Sequence, residues 1–261
     1  MNNIEHTDLL PSRRQEYILE LLKQRKAVSV AQLSKELFIN EATIRRDLNV
    51  LAKSGVLTRT YGGAVLNEGL DSEIPFFIRE TSFSEAKKQI GKTASDFIKD
   101  GDTIFLDSSS TTAFIIPNLY TKKGLKIVTN GAKAVLMLSK LNNCEVYCIG
   151  GKLRENSLSF IGENTLKLLN DYHFDSAFFS CRGVDLHTGL TDSNISEAEI
   201  RKILLKNSKK SYLLCDSSKL NIVSFYSISP LSQIQALITN EPLNADWTNY
   251  LKHEKIALYL T

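Results

Sequence analysis

Residues 29–54 read SVAQLSKELFINEATIRRDLNVLAKS, and the architecture of the front of the chain follows from this stretch. Ser29 with Gln32 three residues on is a capping-box pattern, in which a hydroxyl and an amide each satisfy an orphan backbone N–H at a helix start. Val30, Leu33 and Leu37 then recur at the spacing of one helical face. Phe38-Ile39-Asn40 interrupts that helix, and Asn40 suits the N-cap of a second one. There Ile44, Leu48 and Leu51 line one side, and Thr43, Arg45, Arg46, Asn49 and Lys53 line the other. Two helices joined by a tight turn, the second with a polar, basic outer face, predict a helix-turn-helix.

The flanks complete the unit. Upstream, Tyr17, Ile18, Leu21 and Leu22 predict a helix from Ser12 to Lys26 that closes a three-helix core. Downstream, Gly55 suits the left-handed position that ends a helix. Leu57–Thr60 and Ala64–Leu66 then read as two strands paired across Tyr61-Gly62-Gly63. The expectation is a small winged helix-turn-helix head over residues 1–66.

Charge distribution agrees. Residues 1–66 hold ten Lys and Arg against seven Asp and Glu, and the rest of the chain holds 22 of each. The excess of +3 therefore lies in the head, as binding to backbone phosphates requires. Arg45, Arg46 and Thr43 are placed to face the major groove, where arginine bidentate to guanine is the commonest specific contact. Arg13, Arg59 and Tyr61 are placed to hold the phosphate backbone. Asp47 reads as an orienting partner for nearby arginines.

The chain is 261 residues long and 43% hydrophobic, enough for a second, larger core. It has no run of 18 apolar residues, and Met1–Pro11 is polar with Glu5 and Asp8, so no membrane span, secretion signal or transit peptide is expected. The expected location is the cytoplasm. Cys144, Cys148, Cys181 and Cys215 are scattered and have no histidine near them. Free, buried thiols in a reducing compartment are expected, with no metal and no cofactor.

Residues 67–75 are polar and aperiodic and read as a linker. Beyond them, residues 76–261 change pattern. A helix is expected over Ser84–Lys99 and another over Ala113–Tyr120. Short apolar runs end at Asp107, Asn130, Ile149, Ser180, Asp216 and Thr239, alternating with helices. That pattern predicts an α/β domain with a mostly parallel, buried sheet.

Such sheets bind ligands at the carboxyl ends of their strands. Asp107 is followed by Ser108-Ser109-Ser110-Thr111-Thr112, a hydroxyl-rich turn entering a helix and a candidate anion cradle. Thr129-Asn130, Gly150-Gly151 with Lys152 and Arg154, and Asp216 with Lys219 end other strands. Lys87, Lys152, Arg154 and Lys219 are the candidate phosphate cations.

Both halves resemble one family. Residues 13–66 are similar to the DNA-binding head of DeoR-type bacterial transcriptional regulators, through Arg13-Arg14-Gln15, Thr43-Ile44-Arg45-Arg46-Asp47-Leu48, Gly55, and Arg59 with Gly62-Gly63-Ala64. Tyr61 stands where that family usually carries histidine. Residues 76–240 resemble the family's sensor domain, which is similar in fold to ribose-5-phosphate isomerase and glucosamine-6-phosphate deaminase. Its motifs include Leu106-Asp107-Ser108, Ser110-Thr111-Thr112, Gly150-Gly151, Gly189-Leu190-Thr191, Glu197-Ala198 and Asp216 with Ser218-Lys219. Ser109 replaces a common glycine, and Arg182 is an unusual charge beside Gly183.

The resemblance implies a phosphorylated sugar as effector, with Ser109–Thr112 on the phosphate side. It also implies that Lys87, Asp216 and Lys219 sense it. The expected function is a repressor of a sugar-metabolism operon that releases its operator when the effector binds. The expected assembly is a dimer or tetramer. An activator fits the same residues. An isomerase-like enzyme would use Asp107 and Glu197 as bases, but it would leave the head without a role.

Overall fold

A computed structural model describes residues 11–53, 56–67 and 74–261, with the side chains of Ser12, Arg13, Glu16 and Lys23 outside the description. Gly55 and most of the expected linker therefore lie outside the described residues. The chain divides into two compact units, one ending at Ser82 and one starting at Phe83.

The first unit runs α1 (Pro11–Arg25), β1 (Ala27–Ser29), α2 (Val30–Leu37), α3 (Glu41–Lys53), β2 (Leu57–Arg59), β3 (Gly63–Leu66) and α4 (Phe76–Thr81). The capping box forms as the pattern requires: Gln32 N–H donates to Ser29 Oγ at 3.1 Å, and the Gln32 amide oxygen accepts from Ser29 N–H at 3.4 Å. Asn40 Oδ1 accepts the Thr43 N–H at 2.8 Å and starts α3. Between the two helices Phe38 takes a left-handed conformation, φ 54°, which turns the chain sharply.

Ile18, Leu22, Leu33, Leu37, Ile44, Leu48 and Leu51 are fully buried together, each worth about 1.5–3 kcal/mol of transfer from water. Ile78 of α4 joins the same core. The wing pairs Leu57 with Leu66 and Arg59 with Ala64. A third strand not foreseen from sequence, β1, flanks it and pairs Ser29 with Gly63. Only glycine fits there, because a Cβ on Gly63 would lie 2.0 Å from the Val28 carbonyl oxygen.

The second unit runs α5 (Ser84–Ser95), β4 (Thr103–Leu106), β5 (Leu125–Thr129), α6 (Ala132–Leu138), β6 (Cys144–Cys148), β7 (Lys152–Arg154), β8 (Ser159–Ile161), α7 (Glu163–Asn170) and β9 (Phe174–Phe179). It continues with β10 (Gly183–Asp185), β11 (Gly189–Asp192), α8 (Ile195–Asn207), β12 (Ser208–Leu214), β13 (Tyr226–Ser229), β14 (Ala236–Thr239), α9 (Ala245–His253) and β15 (Ala257–Leu260). Seven strands form one wholly parallel sheet in the order β15-β14-β12-β9-β4-β5-β6. Alternate residues bury opposite faces: Phe105, Phe179 and Leu213 on one, Ile104, Leu106, Phe178 and Leu214 on the other. That two-sided burial is why these strands read as continuous apolar runs. The order reverses direction between β4 and β9, and parallel sheets open a ligand crevice at such a switch point.

Two expectations need correcting. The segment after the Ser108–Thr112 turn is a 3-10 run over Thr112–Asn118 rather than an α-helix, and it contains Pro117. Proline there lacks a donor and crowds the carbonyl four residues back, which disfavours α-helical geometry. Cys148 is exposed and Cys144 half-buried, because β6 is an edge strand; only Cys181 and Cys215 are buried. Burial pushes the Cys181 thiol up to about 12. Asp47 does orient an arginine, one supplied by the first helix: it turns inward to Arg14 and Gln15 of α1.

Candidate functional site

In the first unit, α3 presents one face outward. Arg45 and Arg46 are exposed and Thr43 half-buried, with Asn49 and Lys53 exposed further along. Arg45 lies along its own helix, 2.7 Å from Glu41. In the wing, Tyr61 is fully exposed at the tip, while Arg59 donates to the Gly63 carbonyl at 2.6 Å and braces the turn. The Arg13 side chain lies outside the described residues.

In the second unit, the switch point is organised around Asp107. Its Oδ1 accepts the Ser109 N–H at 2.9 Å and the Thr112 hydroxyl at 2.7 Å, which shapes the turn. Its Oδ2 accepts the Ser180 N–H at 3.0 Å, tying the end of β4 to the end of β9, and takes Arg201 at 3.2 Å. Asp107 thus directs both oxygens at protein donors.

Two ammonium groups border the turn. Lys87, buried on α5, donates to Ser110 Oγ at 3.4 Å. Lys219 donates to Ser180 Oγ at 2.7 Å and reaches Thr111 Oγ1 at 3.5 Å. Lys219 also lies 3.6 Å from Asp216. Burial resists ionisation of Asp216, but Lys219, Lys87 and the Ser218 hydroxyl outweigh it and hold the carboxyl below its ordinary value. Cations, hydroxyls and turn N–H groups at strand ends form the donor set that suits an anionic oxygen cluster.

The opposite border carries polar groups and one ion pair. Asn130, at the end of β5, donates from Nδ2 to the Phe160 carbonyl at 3.2 Å. Thr129 Oγ1 accepts the Gly131 N–H at 3.0 Å. Glu197 accepts from Ser159, and Arg154 lies 3.8 Å from the same carboxylate. Gly150 and Gly151 act through packing: the Gly150 carbonyl accepts from Thr165 at 2.8 Å, and a Cβ on Gly151 would collide with Thr165 Oγ1.

The two halves of the chain match two family models, a DeoR-like helix-turn-helix domain over residues 14–69 and a DeoR C terminal sensor domain over residues 82–241. The chain belongs to the DeoR family of transcriptional regulators. DeoR-type relatives align over nearly its full length. The uncharacterized HTH-type transcriptional regulator YulB of Bacillus subtilis is 37% identical, with 96% of each chain covered. A lactose phosphotransferase system repressor of Staphylococcus epidermidis is 34% identical over 95% of this chain and 96% of its own. An L-fucose operon activator of Haemophilus influenzae is 32% identical over 95% and 99%. Among solved structures, ribose 5-phosphate isomerase A of Methanocaldococcus jannaschii matches at 21% identity and a TM-score of 0.39, covering 52% of this chain and 54% of that one.

Within this DeoR-family sensor, the residue that sequence reasoning missed is Arg201. It is buried and joins four elements: the Asp107 carboxylate at 3.2 Å, Asp192 at 3.2 Å, Glu197 at 3.4 Å and the Ser180 carbonyl at 2.5 Å. Burial alone would weaken its hold on a proton, but Asp192, Asp107 and Glu197 more than offset that and raise it above the ordinary arginine value. The signal available was the Glu197–Arg201 spacing of four on α8, a charged pair on a helix that also buries Ala198, Ile200 and Leu204. Ser157, Ser159 and Ser180 were missed as well, because single serines carry no pattern.

Among the described residues, no helix is long and apolar enough to cross a membrane.

Proposed function

We propose that this DeoR-family chain binds an operator duplex through the outer face of α3 and the wing, and releases it when a phosphorylated sugar occupies the switch-point crevice. The reading is a repressor of a carbohydrate operon, acting in the cytoplasm as a dimer or larger homo-oligomer. The observation that carries the effector class is the pair of ammonium groups, Lys87 and Lys219, set on Ser110, Thr111 and Ser180 at the carboxyl ends of β4 and β9. A phosphate would take its donors there, with Ser109–Thr112 supplying hydroxyls and N–H groups. Arg45, Arg46 and Thr43 would read bases; Arg13, Arg59 and Tyr61 would hold register on the backbone. The ligand changes operator affinity only through its differential affinity for two arrangements of the protein.

A mobility shift on the protein's own promoter region, titrated with a panel of sugar phosphates, tests this. One panel member should weaken operator binding at least tenfold, and the unphosphorylated sugar should not. If no member alters operator binding, the effector reading fails. The activator named among the relatives supports a second reading, in which the loaded protein promotes transcription. Operator position relative to the promoter separates the two.

A further inference from the structure

The hairpin formed by β7 and β8 stands apart from the seven-stranded sheet; among the described residues its strands pair with each other and with the end of β5. Within it Lys152 pairs with Ile161 and Arg154 with Ser159. Its outer strand is exposed at Lys152 and Leu153. It is seated on the end of β5 by a short set of bonds. The Phe160 N–H donates to the Asn130 carbonyl at 2.7 Å, and the Ala132 N–H donates to the Leu158 carbonyl at 2.8 Å. A hydroxyl chain adds a latch at its tip: Ser157 and Ser159 lie 2.7 Å apart, and Ser159 donates to Glu197 on α8.

Both ends of this hairpin are glycines in backbone conformations that other residues rarely adopt, Gly151 at φ 159° and Gly162 at φ 110°. Gly151 is wedged against Thr165 and Ile161, whereas a Cβ on Gly162 would meet nothing within 4 Å. Gly162 is thus a conformational requirement and not a packing one. The segment is therefore a discrete hairpin, bonded at its tip to α8 and bounded at its base by two glycines.

Beneath it lies an unsatisfied group. Asn130 is buried, and its Oδ1 has no hydrogen-bond partner. The amide orientation is fixed, because Nδ2 donates to the Phe160 carbonyl of the hairpin and a carbonyl cannot accept from Oδ1. A buried acceptor without a donor is costly, and raising the hairpin would expose it. The next residue, Gly131, abuts the turn that borders the crevice, since a Cβ there would lie 3.0 Å from Ser108 Cα. Asn130 is therefore next to the Ser108–Thr112 turn.

We propose that the hairpin over residues 152–161 is a hinged cover of the effector crevice, and that the Asn130 carbonyl oxygen it covers accepts a hydrogen bond from a hydroxyl of the bound effector. This rests on the sugar-phosphate reading and narrows it. The ligand must carry an alcohol hydroxyl besides its phosphate, which a polyol or sugar phosphate has and inorganic phosphate lacks. Entry requires the Ser159–Glu197 latch and the Asn130–Phe160 bond to open, and loading lets the hairpin close over the ligand.

The test is hydrogen exchange on the full-length protein, free and with each member of a sugar-phosphate panel, alongside thermal shift to score binding. Peptides covering residues 150–162 should gain protection on loading. Ser159→Ala should raise exchange in those peptides in the free protein, with the seven-stranded sheet unaffected. Asn130→Ala should weaken binding of the sugar phosphate about tenfold while leaving any shift caused by inorganic phosphate in place. If a panel member binds but exchange over 150–162 stays the same, the cover is refuted and the effector reading stands. If Asn130→Ala binds the sugar phosphate as tightly as wild type, the hydroxyl contact is refuted. If no panel member binds at all, the effector reading falls and this inference with it.

Discussion

The Asp47 carboxylate, midway along α3, is buried against the Arg14 guanidinium of α1, while Arg45 and Arg46 just before it are exposed. Arg14 NH2 donates to Oδ1 at 3.1 Å, and Gln15 Nε2 donates to the same oxygen at 3.1 Å. One run of three charged residues is thus divided by helical geometry into an outward pair and an inward strut. The strut ties α3 to α1 on the side away from the outward pair. Asp47→Ala removes the carboxylate from a buried guanidinium, a change that costs about 3–5 kcal/mol. Operator binding should be lost together with head stability. Urea unfolding followed by circular dichroism checks it, and an unchanged first transition would show that the strut carries no weight.

Arg201 makes the corresponding demand on the sensor. Three carboxylates, Asp107, Asp192 and Glu197, surround one guanidinium in a buried setting. Arg201→Met keeps most of the side-chain volume but leaves those carboxylates facing one another. The expected cost is about 3–5 kcal/mol at neutral pH. The gap between wild type and variant in urea midpoint reads that cost. An unchanged midpoint would mean that Arg201 carries no weight in holding the three carboxylates together.

Local patterns in the chain carried the head and the parallel sheet. The capping box, the apolar spacing of α2 and α3, and the apolar strand runs are each set by neighbours within a few residues. The 3-10 run after Thr112 was misread because Thr112–Tyr120 has apolar spacing compatible with a helix, and only Pro117 argues otherwise. The small antiparallel sheet of β10, β11 and β13 and the β7–β8 hairpin have strands of three or four residues, too short to show alternation. At the crevice, residues lying at strand ends were nameable in advance from the parallel-sheet rule. Arg201 was not, because its partners come from residues 107, 180 and 192, which only the fold brings together.

Asp216 makes the sensor sensitive to acid. Its folded carboxyl is held below the ordinary value of 3.8. A carboxyl depressed on folding contributes stability that is full above the unfolded value and lost as pH falls through the folded one. Wild-type protein should therefore hold this contribution down to about pH 4 and surrender it below. Lys219→Met removes the nearest cation, at 3.6 Å, so the folded value rises toward the ordinary one and the acid-sensitive contribution shrinks. Acid titration of thermal midpoints for the two proteins checks this. Coincident acid limbs would place the stabilisation of Asp216 elsewhere.

Arg45 and Arg46 should separate from Arg59 by the kind of binding each controls. The first two are exposed on the face of α3 that a major groove would meet, whereas Arg59 is half-buried and bonded to the Gly63 carbonyl within the wing. A base-reading arginine costs about 1–3 kcal/mol when truncated and relaxes preference at one base pair. A backbone contact instead weakens all sequences alike and lowers the salt slope by about one. Arg46→Ala should therefore lose discrimination between the operator and variants mutated at single guanines, and Arg45→Ala the same at a different position. Arg59→Ala should bind every duplex less tightly through a loosened wing, with its ranking of sequences preserved. Mobility shifts at several salt concentrations on an operator mutant set distinguish these outcomes. Unchanged base preference in both Arg45→Ala and Arg46→Ala would remove α3 as the reading helix.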